Sequence, residues 1–491
     1  MNSGLVLVIL FFYFGVLLLI AHFTGKQSHS KDFFVANKQA PWYLVAFGMI
    51  GSSLSGVTFI SIPGAVYNPK NPALSSQFSY FQVVLGYLLG YWVIGTILMP
   101  LYYRLNLISI YTYLEQRLGF WSYKIGAFFF LLSRTIGASL RIFLAASVLQ
   151  LALFDAWNIP FEITAVVSIF LIWVYTYKGG IKTIIWTDTL QTAFLVTALL
   201  SSIWLIKNEL NLSFVGLVNA IVDSPYSRIF FFEDWNDNRY FFKQFFAGTF
   251  IAIAMTGLDQ DLMQKNLSCK NIHEAQKNMF WFCVVLVFVN ILFLSLGASL
   301  YLYATHKDIP LPAQTDKLYP MLAFQHFGIL ASVAFLLGIT AATYASADAA
   351  LASLTTSFCI DFLNISQKTE AQKQKAIRWV HVGFSVILVV VMLIFKQINN
   401  DNVINSLFKI AGYTYGPLLG LYAFGLFTRW QVHDRFVPLV CIISPWFCWI
   451  LQANSEVWFR GYRFGFELLI LNGLLTFIGL CLIAKRNIKL E

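Results

Sequence analysis

The chain has 491 residues, 58% of them hydrophobic and 11% charged, with a net charge of +10. Soluble domains carry about a quarter charged residues, so composition excludes a water-soluble fold and indicates an integral membrane protein. The basic residues are scattered through short loops between apolar runs instead of forming one stripe, which argues against a nucleic-acid partner.

The runs are long enough for helices of about 20 residues, whereas a membrane barrel would show short alternating segments. We read an all-α membrane protein of about thirteen transmembrane helices. In chain order they fall near 3–23, 43–66, 79–103, 122–153, 161–177, 183–206, 244–264, 276–304, 328–361, 375–396, 402–427, 434–452 and 464–484. The first run, Leu5 to Phe23, lacks a basic stretch before it and a small-residue cleavage site after it, so it reads as a retained helix. Alternate loops place most Lys and Arg on one side, in Lys26/Lys31/Lys38, Lys178/Lys182, Lys368/Lys373/Lys375/Arg378 and the tail Lys485/Arg486/Lys489. By the positive-inside rule the N-terminus is expected outside and the C-terminus in the cytoplasm, in a bacterial inner membrane. The longest external segment, Lys207 to Lys243, holds an amphipathic stretch, Phe214 to Val222, and a mixed-charge run, Glu233 to Arg239. It reads as an interfacial cap, and residues 1–491 as one transmembrane domain. Cys269, Cys283, Cys359, Cys441, Cys448 and Cys481 form no CxxC pair, so neither disulfides nor a structural metal site are expected.

Two spans carry the signs of a break. The second contains Gly48, Gly51, Ser52, Ser53, Ser55 and Gly56 before Pro63-Gly64, and the seventh has Thr256-Gly257 just before Asp259-Gln260-Asp261. As spans two and seven they would open two five-helix repeats, the arrangement in which unwound carbonyls at mid-membrane hold ion and substrate. The other reading is close packing of small residues.

Acids inside the bilayer must be neutralised or used, because each costs roughly 2.5–3.5 kcal/mol even on insertion scales. Asp188 follows the Gly179-Gly180 turn into the sixth span, and Ser346 and Asp348 lie in the small-residue ninth. Sodium, a hard cation, takes about five or six oxygens of this kind. Asp348 could instead pair with an intramembrane arginine, and Asp361, at the helix end, reads as a solvated or loop-paired acid. Arg134 and Arg141 lie two turns apart on nearly one face of the fourth span. Either could fork a substrate carboxylate or pair with Asp188, Asp259 or Asp348. The eleventh span, with Tyr413, Tyr415, Gly416 and Pro417, reads as a weakened helix able to gate. No HExxH, GxSxG or P-loop is present, so an enzyme is not expected.

Taken together, Asp32 to Ala36, Tyr113 to Gly119, Gly179 to Gln191, Asp259-Gln260 with Gln264-Lys265, and Gly416 to Gly420 make the chain resemble the sodium/solute symporter family of sugar, proline, sialic acid, iodide and vitamin carriers. The resemblance implies a LeuT-type bundle with an inverted five-plus-five repeat over spans two to eleven. It also implies a sodium site drawn from Gly51, Leu54, Ala342, Ala345 and Ser346. Ala345 stands where a hydroxyl is usual, so Asp188 is a further candidate, and Asp348 falls at a hydroxyl position of a second site found in some members. The residues that bind sugars in the family are replaced by Val57, Thr58, Met255 and Thr256. Expected substrate contacts are Ser55, Thr58, Gln82, Arg134, Arg141, Thr256 and Tyr413.

The resulting expectation is a sodium-coupled symporter that imports a small polar solute, a carboxylate-bearing metabolite, by alternating access. Na+ is the only cofactor, the partners are substrate and lipid bilayer, and the protein is a monomer or loose homo-oligomer. Alternatives are a proton-coupled carrier of the same fold and a transporter-like sensor. A potential of about 100 mV and a tenfold gradient supply about 2.3 and 1.4 kcal/mol, roughly 500-fold accumulation of a neutral solute per sodium.

Overall fold

A computed structural model describes residues 3–24, 40–72, 75–176, 180–398 and 403–485. Lys26, Lys31, Lys38, the Asp32 to Ala36 motif, Tyr177 to Gly179, Arg486, Lys489 and the side chain of Lys182 lie outside the described residues. The principal helices are α1 (Ser3–Thr24), α2 (Trp42–Ser53), α3 (Gly56–Ala65), α4 (Tyr80–Val93), α5 (Phe120–Leu149), α6 (Phe161–Thr176), α7 (Gly180–Glu209), α8 (Phe214–Val222) and α9 (Phe241–Ala252). They continue with α10 (Gln260–Asn266), α11 (Ile272–His306), α12 (Leu318–Gln325), α13 (Gly328–Ser357), α14 (Glu370–Ile398), α15 (Val403–Thr414), α16 (Gly416–Phe427), α17 (Val437–Ala453) and α18 (Leu468–Leu482). Among the described residues, eight helices are long and apolar enough to cross a membrane, with two bent pairs and three shorter apolar helices besides.

Both bends fall where glycine and serine weaken the sequence. α2 and α3 meet at 53°, and the helix that runs from α9 to Gly257 meets α10 at 68°. At the first bend Leu54 and Ser55 leave helical geometry, so the carbonyls ending α2 lose the N–H groups of a following turn. Glycines let this segment sink into its neighbours: a Cβ on Gly48 would meet Asp188 Cβ at 3.0 Å, and one on Gly51 would overlap the Thr192 hydroxyl. The second bend is preceded by a wide π-type turn, Ile253–Gly257, a form that concentrates at functional positions.

α13 forms the axis. Every residue from Gly338 to Ser357 is buried, as expected of a helix covered on all sides, and its alanines and serines let α7 and α5 lie close along it. α4 and α9 are held as closely. A Cβ on Gly86 would sit on the Phe245 carbonyl and one on Gly248 on the Val83 carbonyl, while Thr249 donates to Gly86 O at 3.1 Å.

The eleventh predicted span is two helices, α15 and α16. Pro417 has no N–H to offer the carbonyl four residues back, and the Asn472 amide of α18 takes over, donating to Gly412 O and Tyr413 O at 2.9 Å each. α8 is a surface helix whose Phe214, Val215, Val218 and Val222 are exposed, within the segment read as a cap. Two short strands depart from the all-helical expectation: Gln431–Val432 and Ala484–Lys485 pair antiparallel as a clasp. All six cysteines are free thiols.

Asp434 caps α5. Its carboxylate accepts from Trp121 N at 2.7 Å, Ser122 N at 2.8 Å and Ser122 Oγ at 2.6 Å, at the end where the helix exposes unpaired N–H groups. Asp434→Ala is expected to cost about 1–2 kcal/mol, read as a lowered midpoint in a thermal melt of the purified protein.

Candidate functional site

Two adjoining spaces share Tyr80 and Ile404 in their linings. A vestibule of about 1860 Å³ is lined by Lys70, Asp237, Arg239, Asp316, Lys317 and Lys409 among others. Beneath it lies a cavity of about 80 Å³ at the α2–α3 bend. Tyr80 and Ile404 line both, so they form the partition, and Tyr80 stacks on Phe408 with ring centroids 6.4 Å apart. The Asp316 carboxylate accepts from Val403 N at 3.1 Å, capping α15 at the vestibule rim, and burial pushes this carboxyl up to about 6.

Of the expected substrate contacts, Ser55, Thr58, Arg134, Arg141 and Thr256 line the inner cavity, with Tyr87, Tyr91 and Asn290 adding polar groups that the sequence reading did not single out. Two do not belong to it. Gln82 holds the external segment, with its amide donating to Arg239 O at 2.7 Å and its oxygen accepting from Phe231 N at 3.4 Å. Tyr413 points to α17, where its hydroxyl donates to Gln452. In both cases helical phase carries the side chain away from the cavity.

The two arginines have different surroundings. Arg134 is ion-paired with Asp261 at the start of α10, which corrects the expected partners Asp188, Asp259 and Asp348. Asp259 instead accepts from the Tyr415 hydroxyl and caps α10 through Asp261 N at 2.8 Å. Arg141 Nη1 donates to Ser346 Oγ at 3.0 Å, and its Nε has no partner among the described residues. Arg134, Arg141 and Asp261 line the cavity, and the buried Asp259 lies within electrostatic reach of both arginines.

Asp188 has its own cation. Lys265 Nζ lies 2.6 Å from Asp188 Oδ2, the Ser52 hydroxyl donates to the same oxygen at 2.9 Å, and Lys265 also donates to Ser52. Asp188 is fully buried and Lys265 is 1% exposed. Lys265 enters the sequence reading only as part of a motif and not as a partner, although a buried lysine near a helix break raises the same question as a buried acid. Among the described residues no arginine pairs with Asp348; Tyr175 donates to its Oδ2 at 2.9 Å. Asp361 is buried rather than solvated, accepting from Tyr123 at 2.9 Å and Ser357 at 2.6 Å.

Asp188 Oδ1 and Asp348 Oδ1 are buried oxygens with no hydrogen-bond partner among the described residues, on α7 and α13, which pack along one another. Such oxygens are costly unless a cation reaches them. Ser346 and Asp348 are two residues apart, about 200° around α13, so they serve different faces. Ser346 shares its face with Ala342 and one flank with Ala345, whereas Asp348 looks toward α6.

A model of the sodium:solute symporter family matches residues 33–432. The chain belongs to the sodium:solute symporter family. It is 25% identical over 477 residues to a sodium/sialic acid symporter of Aliivibrio fischeri, covering 95% of this chain and 92% of that one. It is 27% identical over 421 residues to sodium-coupled monocarboxylate transporter 1 of Xenopus laevis, covering 82% of this chain and 64% of the relative. Among solved structures, the outward-open, substrate-bound state of a Na+-coupled sialic acid symporter superposes over 99% of this chain and all of that chain, with a TM-score of 0.82 at 19% identity. The nucleobase-cation symporter Mhp1 in a closed conformation gives 0.55 at 15% identity, over 91% of this chain and 92% of its own. These likenesses give the fold, that of multi-pass secondary transporters. A family member of this kind is a sodium-coupled carrier and not an enzyme.

Proposed function

We propose that this member of the sodium:solute symporter family imports a small monocarboxylate with sodium by alternating access. The observation that carries the reading is the guanidinium of Arg141, left without an acid partner over a cavity whose Arg134 is already paired with Asp261. An arginine with no ion-paired acid and an unused Nε donor suits one carboxylate. The apolar wall of Val57, Met255, Leu286, Leu407 and Phe408 suits a short carbon chain. At one water per roughly 10–15 Å³, the space holds about five to eight heavy atoms, so a sialic acid would require the Tyr80–Phe408 partition to move. The monocarboxylate transporter of Xenopus laevis among the relatives supports this choice.

Sodium is assigned to two neighbouring places in the same bundle. One is the α2–α3 bend, which would draw on the carbonyls of Gly51 and Leu54 together with Ala342, Ala345 and the Ser346 hydroxyl. The other lies between Asp188 and Asp348, whose free oxygens suit a cation. Two sites matter energetically. With one sodium per monoanion no net charge crosses, so the potential adds nothing and a tenfold gradient gives about tenfold accumulation. With two sodiums the drive is about 5 kcal/mol, roughly 5,000-fold. The whole chain is read as one transporter domain of about thirteen spans with the inverted repeat, vestibule outward and C-terminus cytoplasmic.

Uptake of labelled short monocarboxylates into proteoliposomes with inward sodium tests the reading; uptake that ignores sodium, or none across the panel, defeats it. Asp188→Asn and Asp348→Asn are each expected to raise the sodium concentration for half-maximal uptake at least tenfold. A sodium dependence unchanged in both variants would remove these acids from the ion path.

A further inference from the structure

Arg141 stands between the two ligands. It lines the substrate cavity, yet its Nη1 is spent on Ser346 Oγ at 3.0 Å, the one side-chain hydroxyl assigned to sodium at the α2–α3 bend. An N–H donated to that oxygen occupies one of its two lone pairs and aims a full positive charge at the site's edge, which opposes a cation there. The adjacent residue, Ala345, offers no hydroxyl that could stand in. Arg141 also has a second donor, Nε, that meets no acceptor among the described residues. A side chain so placed has two places to go: the serine, or a carboxylate in the cavity.

We propose that Arg141 is the coupling residue of the carrier, a positioning switch that blocks sodium at Ser346 when the cavity lacks substrate and releases that hydroxyl when a carboxylate draws the guanidinium across. The inference rests on the carboxylate reading above, and extends it to the order of events. A carboxylate is a better acceptor than a serine hydroxyl, because both partners are charged and the fork can bond twice. Its arrival frees the Ser346 lone pairs and neutralises the charge beside them, so sodium binds more tightly in its presence. By linkage sodium favours substrate by the same factor, so that neither ligand is carried efficiently alone. Among the described residues Asp261 is ion-paired with Arg134 and no acid is ion-paired with Arg141.

The test uses the purified full chain in detergent, titrated with sodium against choline at constant ionic strength and followed by intrinsic tryptophan fluorescence, without organic acid and with lactate. For the wild type, lactate is expected to lower the sodium midpoint by a factor of about 5–150, the usual range of coupling between sites. Arg141→Met is expected to show the low midpoint without lactate and no further shift with it. Arg141→Gln, which keeps a donor for Ser346 and loses the charge, serves if the methionine variant is not monodisperse, and is expected to lie on the same side. A substrate-free midpoint in these variants equal to or above that of the wild type overturns the proposal, as does a wild type with no sodium response. The substrate-free arm contains no organic acid, so a tighter midpoint there supports the switch even if lactate is not carried. Absence of uptake across the monocarboxylate panel is then the separate failure of the substrate reading.

Discussion

Lys265→Ala is expected to be among the most damaging single substitutions in the protein, lowering stability by about 3–5 kcal/mol. The lysine is 1% exposed and its acid partner, Asp188, is fully buried with one oxygen already without a donor. Removing the ammonium leaves an ionised carboxylate facing only the Ser52 hydroxyl, a case in which the lost Coulomb attraction is compounded by a desolvation cost that nothing offsets. The measurement is a thermal unfolding curve in detergent, at low and high sodium. Lys265→Met combined with Asp188→Asn removes both charges and should recover most of the loss. If the double variant melts as low as Lys265→Ala, the pair is not the source. If sodium binds at Asp188 as proposed, high sodium should restore part of the midpoint in the single variant, because the acid then has no competing cation.

Gly248→Ala is expected to be the next most severe, through sterics alone. The new methyl would fall on the Val83 carbonyl, which is helix backbone and has no rotamer to give, so α4 and α9 must move apart along their shared face. Overpacking of a rigid contact costs about 1–3 kcal/mol and sometimes more, and here the upper end applies because Gly86 packs against Phe245 in the reciprocal manner. Yield of monodisperse protein on size exclusion, with a melt of whatever folds, reads the effect. Gly383→Ala in α14, where a methyl meets nothing within 4 Å, is the control and should melt at or slightly above the wild type. Equal midpoints for the two variants would refute the interlocked crossing.

Much of the architecture was legible in the sequence because the bilayer imposes one rule on every span: apolar length. The two bends were legible for a second reason. Runs such as Gly51-Ser52-Ser53 and Thr256-Gly257 have low helix propensity and little bulk, so they mark both weak hydrogen bonding and close approach. Pairings were not legible. Asp188 and Lys265 are 77 residues apart in the chain, and nothing local in either segment says that they meet. Helical phase was hidden as well. In α4, Tyr80, Tyr87 and Tyr91 share the cavity face at spacings of seven and four, while Gln82 is turned about 200° from Tyr80. In α15, Ile404, Leu407 and Phe408 share it, and Tyr413 lies about 140° from Phe408. Where a helix is apolar all round, no polar stripe tells which side is inward, so depth could be read and direction could not.

If Arg141 holds the cargo carboxylate as proposed, the partition made by Tyr80, Ile404 and Phe408 also has a pharmacological meaning. A compound with a carboxylate small enough to reach Arg141 and a tail too long for the space beneath would lodge its tail between the Tyr80 and Phe408 rings. It would compete with cargo for the same guanidinium and prop the partition open, making it an untransported blocker. Among acids sharing one head group, chain length would therefore separate passengers from inhibitors.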